Sequence, residues 1–217
     1  MKYFKIYNPI IILHNIDHSP NRTKNVTDLM DISDGGLVEI LKSKFDFTEE
    51  EILYWTCSCN FQAMPVIMYT PRIMGRVGCL ISHIWALERI VEQKLNNTII
   101  FEDDAYKVPQ HWSETKLHDI LEEKNYSDDY IVYLGYSKNP KNGKIFCCHA
   151  YMIPSWRKAE YLLNEIKKKN PKRAIDVMYI NIVQKAGLPF SYYNIFGQLP
   201  GYSYIDMKEK SRPGKWN

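Results

Sequence analysis

The feature that most constrains the fold of this chain is a short apolar run that ends abruptly in three acidic residues. Residues 98–101 read Thr-Ile-Ile-Phe, and Glu102, Asp103 and Asp104 follow them directly. A compact run of β-branched and aromatic residues is typical of a buried β-strand, so the acids mark its carboxyl end. In open α/β sheets, ligands bind beyond the carboxyl ends of the strands. This edge is therefore the first candidate for a functional site.

The rest of the chain alternates between apolar runs and amphipathic segments. Further strands are predicted at residues 10–14, 65–69, 130–135 and 146–153, and helices at residues 22–29, 75–94, 155–169 and 174–186. Strands that alternate with helices predict an α/β fold, with a mainly parallel central sheet flanked by helices. The length of 217 residues favours one domain over residues 1–217, either complete in itself or part of a longer protein.

Two other segments are assigned from their local sequence. Residues 37–44 follow a Gly-Gly break and are predicted to form a short helix. The tail from residue 197 contains several glycines and prolines and is predicted to be a loop.

Charge and cysteine content exclude several classes of protein. The net charge of +3 is mild and the basic residues are dispersed, which does not favour a nucleic-acid partner. No apolar stretch is long enough for a signal peptide or a membrane span. The five cysteines are odd in number, and their spacings fit neither a disulfide framework nor the usual zinc motifs. Reduced thiols without a targeting segment predict a cytoplasmic protein.

The three consecutive acids need an explanation, because adjacent carboxylates repel one another unless water or a cation offsets their charge. Hard oxygen ligands suit Mn²⁺ or Mg²⁺, and such an ion could bridge to a diphosphate and offset charge on a leaving nucleotide. The alternative is a solvated acidic loop. The position directly after a buried strand favours the metal site.

Three segments of the chain together resemble glycosyltransferase family 25, which includes bacterial lipooligosaccharide galactosyltransferases and collagen galactosyltransferases. The first is Asn15-Ile16-Asp17-His18-Ser19-Pro20-Asn21-Arg22. The second is Gly75-Arg76-Val77-Gly78-Cys79-Leu80-Ile81-Ser82-His83, with Glu102-Asp103-Asp104 about twenty residues further on. The third is His149-Ala150-Tyr151-Met152-Ile153, followed by Ile175-Asp176. Residues 37–64 do not match the family pattern, so the acceptor and the sugar stay open.

The resemblance implies a GT-A fold, a nucleotide-sugar donor and, usually, inversion at the anomeric carbon. It implies that Asp104 is the principal metal ligand and that Glu102 or Asp103 contacts the ribose or a metal-bound water. Asn15 and Arg22 would lie near the nucleotide. The Arg22 guanidinium could pair with the diphosphate, or it could be an ordinary surface charge.

The remaining candidates each have a functional and a structural interpretation. Gly75 would let the start of its helix pack against the donor, or would serve close packing alone. Ser82 and His83 would bind the donor sugar or the acceptor, although His83 could equally be a structural histidine. His149 would complete the metal shell or be a buried, hydrogen-bonded histidine. Asp176 would act as the general base, or would cap its helix.

The sequence thus predicts a metal-dependent glycosyltransferase that moves a sugar from a nucleotide-diphosphate sugar, UDP-linked by preference, to a glycan or another hydroxyl acceptor. Two alternatives stay open. One is a nucleotidyl- or phosphotransferase that uses the same carboxylates, and the other is a non-catalytic carbohydrate-binding module. The chain has no P-loop and no Gly-x-Gly-x-x-Gly after a strand, which disfavours an NTPase and a dinucleotide oxidoreductase. A compact chain of this kind fits an enzyme from a virus or a bacterium.

Overall fold

The computed structural model describes residues 7–15, 17, 19–33, 36–43, 71–122, 126–138, 143, 145–168, 175–199, 201–203 and 208–210. The strand predicted at residues 65–69 lies outside this part of the chain, as do Ile16 and His18 of the first family-like segment.

A six-stranded sheet lies at the centre of the described structure. Its strands are β1 (Ile10–His14), β2 (Val38–Lys42), β3 (Asn96–Glu102), β5 (Ile131–Lys138), β6 (Ile145–Ser155) and β7 (Phe190–Tyr192), in the spatial order β2-β1-β3-β6-β5-β7. Two small antiparallel pairs accompany it: β4 (Ala105–Lys107) with β8 (Phe196–Gln198), and β9 (Gly201–Ser203) with β10 (Lys208–Lys210).

The helices are α1 (Thr23–Met30), α2 (Pro71–Glu92), α3 (Glu114–Glu122), α4 (Trp156–Lys168) and α5 (Ile175–Tyr179). A 3₁₀ turn over Pro20–Arg22 leads into α1, and a π-helical turn over Ile180–Gln184 continues α5. The predicted helix at residues 75–94 therefore begins one turn earlier, at Pro71. No helix in the described ranges is both long and apolar enough to cross a membrane.

The direction of the strands confirms the predicted class. β1 pairs in parallel with β2 and with β3, and β5 pairs in parallel with β7. β6 is antiparallel to both of its neighbours, β3 and β5. Five strands of the central sheet thus run in one direction, so the predicted α/β fold with a mainly parallel central sheet flanked by helices is confirmed.

Strand β1 shows why the sheet is buried on both faces. All five of its residues are buried, and their side chains alternate between the two faces, as the two-residue period of a strand requires. Ile11 and Leu13 belong to one core cluster, together with apolar residues of α2 and α4. Ile10 and Ile12 belong to the other, together with residues of α1 and α3. Since helices cover both faces, a polar ligand can approach this sheet at its strand ends.

Two local predictions were wrong. Residues 37–44 do not form a helix: Val38–Lys42 is strand β2, because each of its residues pairs with one of β1. The tail is not purely loop, because Phe196–Gln198 pairs with β4 and Gly201–Ser203 pairs with Lys208–Lys210. Residues 38–42 and 196–198 pair with strands that are distant in the sequence, and this pairing outweighed the local propensity.

Candidate active site

The carboxyl ends of β1 and β3 lie side by side and carry the acidic triplet. Leu13 is in register with Glu102, and the backbone N–H of Asp103 donates to the Leu13 carbonyl at 3.0 Å. The parallel register therefore places the residues that follow both strands at one edge of the sheet, as the position of the acids predicted.

Asp103 is the most firmly held of the three acids. It is buried, and its two carboxylate oxygens accept hydrogen bonds from His14 Nδ1 at 2.8 Å and from an Arg22 guanidinium nitrogen at 2.5 Å. The side-chain amide of Asn25 donates to the carbonyls of Asp103 and Ala105, at 2.9 and 2.7 Å. These contacts fix the turn that presents the neighbouring acids.

His14 and Asn25 were both missed from the sequence. A polar residue that closes a fully buried strand was a usable signal for His14. The local sequence offered no signal for Asn25, which lies on helix α1 and contacts the turn only because the fold brings the two together.

Asp104 differs from Asp103 in having an unsatisfied oxygen. It is 7% exposed, and its Oδ2 accepts from Gln198 Nε2 at 3.0 Å and lies 3.6 Å from the Arg22 guanidinium. Its Oδ1 is buried and has no hydrogen-bond partner in the described structure. Burial raises the pKa of Asp104 to about 7, and Glu102 and Asp103 add to the rise, against the opposing effects of Arg22 and Gln198.

Arg22 lies between two acids at the start of α1. Burial by itself would lower the pKa of its guanidinium, but the carboxylates of Asp104, Asp103 and Glu102 outweigh this effect and raise it. Arg22 is therefore a fixed positive charge at the triplet. It is not an isolated surface residue, which removes one of the two interpretations left open by the sequence.

Asn15 orders the loop that delivers Arg22 to the site. Its side chain donates to the carbonyl of Ser43 and accepts from the backbone N–H of Asp17 at 3.1 Å. Its own carbonyl accepts from the N–H of Ser19 at 2.8 Å. Asn15 is buried and so braces the exit of β1 against the exit of β2, next to the predicted nucleotide site.

Glu102 contacts the second family-like segment, on helix α2. Its Oε1 accepts from His83 Nε2 at 3.0 Å and lies 3.7 Å from the thiol sulfur of Cys79. His83 is fully buried, and its Nδ1 is 2.7 Å from the hydroxyl of Tyr151, which lies 3.3 Å from that of Tyr179. Residues from α2, β3, β6 and α5 thus form one polar chain through the core. Cys79 was not selected from the sequence as a site residue.

Asp176 lies in the first turn of α5 and is partly buried, with Oδ1 accepting from the backbone N–H of Val177 at 2.7 Å. Its charge acts on Cys79. Burial raises the pKa of the Cys79 thiol well above its ordinary value, and the carboxylates of Glu102, Asp176 and Asp104 add to this rise. The candidate base and two of the three acids therefore act electrostatically on the same thiol.

The other predicted residues lie deeper in the fold. Gly75 is buried near the start of α2, and the Ser82 hydroxyl donates to the Gly78 carbonyl one turn earlier, at 2.8 Å. His149 is fully buried on β6, with Nε2 3.3 Å from the carbonyl oxygen of Phe196. The structure does not bring His149 and Asp104 into one closely spaced ligand group with Glu102; within the described ranges, that group consists of Cys79, His83 and Glu102.

Residues 73–141 match the sequence model of glycosyltransferase family 25 (LPS biosynthesis protein). This segment is about a third of the chain, and it contains α2 from its first turn onward, strand β3 and the acidic triplet. The resemblance drawn from the motifs is confirmed over residues 73–141, and this match supports a glycosyltransferase, an enzyme that transfers a sugar from a donor to an acceptor.

One match among solved structures is the crystal structure of a glycosyltransferase involved in the glycosylation of the major capsid of PBCV-1. The two chains are 12% identical, the match covers 86% of this chain and 82% of that one, and the TM-score is 0.46. No curated protein matches the sequence. The similarity to the family therefore rests on residues 73–141.

Proposed function

We propose that this protein is a glycosyltransferase of family 25 that is metal dependent, takes its sugar from a nucleotide-diphosphate sugar, and inverts the anomeric carbon. A UDP-linked donor is favoured by the family resemblance, as is a glycan or another hydroxyl-bearing acceptor. The observation that carries the metal dependence is the Asp104 carboxylate, whose Oδ1 is buried without a hydrogen-bond partner in the described structure.

A cation would resolve the electrostatic conflict at Asp104. A buried carboxylate with an unsatisfied oxygen costs free energy, and two further acids precede it in the chain. Carboxylate oxygens suit Mn²⁺ or Mg²⁺, so the donor set fits such an ion. Asp104 would hold it; the other two ligands predicted from the sequence, Glu102 and His149, do not form one closely spaced ligand group with Asp104 in the described ranges. When bound, the ion would offset negative charge on the departing nucleoside diphosphate.

The donor would lie against the loop between β1 and α1. Arg22 carries a fixed positive charge at the start of α1, and a guanidinium matches a diphosphate in shape and charge. Asn15 holds this loop in place through Ser43 and Asp17. Arg22 would bind the diphosphate, and Asn15 would act mainly by ordering the loop beside the nucleotide.

Asp176 is the proposed general base. In an inverting transfer, the acceptor hydroxyl attacks the anomeric carbon from the face opposite the leaving group and gives up its proton as the new bond forms. The Asp176 carboxylate would accept that proton. Two observations support this role for Asp176. The residue is partly exposed, and its charge acts on the thiol of Cys79, which also contacts Glu102.

The experiment that tests the proposal is a donor-hydrolysis and transfer assay with UDP-, GDP-, CMP- and dTDP-sugars, each with Mn²⁺ and with EDTA. We expect nucleotide release from one donor class, in Mn²⁺ only, and loss of that activity in Asp104→Ala. Asp28→Ala is the matched control, because Asp28 is exposed on α1. Equal activity in EDTA would refute the metal dependence. Release of pyrophosphate would instead indicate a nucleotidyltransferase.

A further inference from the structure

We propose that Cys79, His83 and Glu102 form a second metal site, suited to Zn²⁺ and separate from the ion proposed at Asp104. The three residues offer a thiol sulfur, an imidazole nitrogen and a carboxylate oxygen, and these ligand atoms all lie within 4.8 Å of one another. The ion proposed at the donor site depends on Asp104. Experiments can therefore refute one of the two metal sites without refuting the other.

The fold itself brings the three ligands together. Cys79 and His83 are four residues apart on α2, so their side chains lie on the same face of the helix. Glu102 reaches them from the carboxyl end of β3. Leu80 and Ile84, on adjacent positions of α2, are buried in the core against the sheet. The site thus lies on packed secondary structure, where the positions of the ligands are fixed by the core.

The distances from the Glu102 carboxylate to the other two ligand atoms approach those around a tetrahedrally coordinated ion. With a Zn–S bond of about 2.3 Å and Zn–N and Zn–O bonds of about 2.0–2.1 Å, tetrahedral angles separate the ligand atoms by about 3.3–3.6 Å. Glu102 Oε1 lies 3.7 Å from Cys79 Sγ and 3.0 Å from His83 Nε2. These two distances would change by only a few tenths of an ångström to admit the ion, and all three ligand atoms lie within 4.8 Å of one another.

The other ring nitrogen of His83 also has a hydrogen-bond partner. The Tyr151 hydroxyl is 2.7 Å from His83 Nδ1, and the Tyr179 hydroxyl lies beyond it. A hydroxyl can accept as well as donate, so the same contact would hold an Nδ1–H when Nε2 binds a metal. Metal-binding histidines regularly have such a partner on their other nitrogen, because it fixes the ring and its tautomer.

The ligand set selects the metal. A thiolate and an imidazole favour Zn²⁺ over Mn²⁺ or Mg²⁺, which prefer oxygen ligands. Binding would release the thiol proton to solvent and shift the imidazole proton from Nε2 to Nδ1, where the Tyr151 hydroxyl would accept its hydrogen bond. The divalent charge would offset the new thiolate beside Glu102, Asp104 and Asp176. Three protein ligands would leave a fourth position for water or a substrate atom.

The test is a titration of the metal-free full-length chain with Co²⁺, a spectroscopic substitute for Zn²⁺. We expect one equivalent to produce thiolate-to-cobalt charge-transfer absorption, which Zn²⁺ then abolishes by displacement. Cys79→Ser should lose this absorption, whereas Cys148→Ser, which changes a buried cysteine outside the cluster, should keep it. Tyr151→Phe should weaken Co²⁺ binding by about 10–100-fold, the usual cost of losing a second-shell partner.

Absence of charge-transfer absorption in the folded wild-type chain would overturn the proposal, and so would its persistence in Cys79→Ser. If Cys79→Ser fails to fold by circular dichroism, Glu102→Gln takes its place, and unchanged Co²⁺ affinity in that variant would be equally decisive. Asp104→Ala should retain the absorption; its loss there would refute a separate site. The proposed function is tested separately, by nucleotide release from the donor in Mn²⁺. Failure of the second metal site can therefore be distinguished from failure of the proposed function.

Discussion

Neutralising Asp104 should stabilise the metal-free protein, and the effect should grow with pH. The pKa of Asp104 is raised from 3.8 to about 7, mainly by burial. The folded state therefore retains a proton that the unfolded chain releases. The resulting cost is absent below the unfolded pKa, accumulates as the pH rises, and is complete above about 7. At about 1.4 kcal/mol per pKa unit, its upper limit is about 4 kcal/mol.

Asp104→Asn removes the charge but keeps an oxygen that can accept from Gln198. In EDTA at pH 8, we expect this variant to be more stable than the wild type. Half of the upper limit, about 2 kcal/mol, corresponds to about 4–8 °C in melting temperature for a chain of this size. The difference should shrink steadily as the pH falls towards 4. Thermal melts followed by circular dichroism across this range would measure it.

Two comparisons make the result specific to the buried carboxylate. Asp28→Asn changes an exposed acid and should alter stability by less than about 0.5 kcal/mol at either pH. Added Mn²⁺ should stabilise the wild type by mass action and leave Asp104→Asn unchanged. If Asp104→Asn is less stable than the wild type at pH 8 in EDTA, the charge is already compensated in the fold, and our reasoning about this site is wrong.

Three further predictions concern donor binding, catalysis and packing. Arg22→Gln should weaken donor binding by about 10–100-fold, the range for a charged hydrogen bond, as measured by isothermal titration calorimetry. Lys24→Gln, which changes an exposed residue, is its control. Equal donor affinities of Arg22→Gln and the wild type would exclude Arg22 from the donor site. Asp176→Asn should keep donor affinity but lower the transfer rate by about 10²–10⁴-fold, and an unchanged rate would eliminate it as the base. Gly135→Ala should lower stability by about 1–3 kcal/mol in urea titrations, because the added Cβ would lie 2.3 Å from His149 Nε2; an unchanged midpoint would mean that the site relaxes without cost.

The sequence was informative wherever the signal was local. The apolar run before Glu102 identified both the strand and its carboxyl end, and the helical period of α2 needed a correction only at its two ends, from 75–94 to 71–92. The motifs gave a resemblance to a family whose model matches residues 73–141. These predictions succeeded because they depend on residues within a few turns of one another, where periodicity and chemistry can be read directly.

The structure decided what depends on distant pairing. Residues 38–42 carry apolar and charged residues in a pattern too short to separate helix from strand, and their pairing with β1 made them a strand. His14 and Asp103 are 89 positions apart, and Gln198 and Asp104 are 94 apart. The contacts of Cys79 and His83 with Glu102 also join a helix to a neighbouring strand.

The sequence by itself therefore determined the fold class, the resemblance to the family and the position of the acidic triplet. Only the tertiary structure decided which side chains surround each acid: why Asp103 is satisfied, why Asp104 has an unsatisfied oxygen, and why Glu102 meets a cysteine and a histidine. The physical reason is that burial and electrostatic environment are set by non-local packing. Three consecutive acids of similar chemistry thus acquired three different environments, which no local pattern encodes.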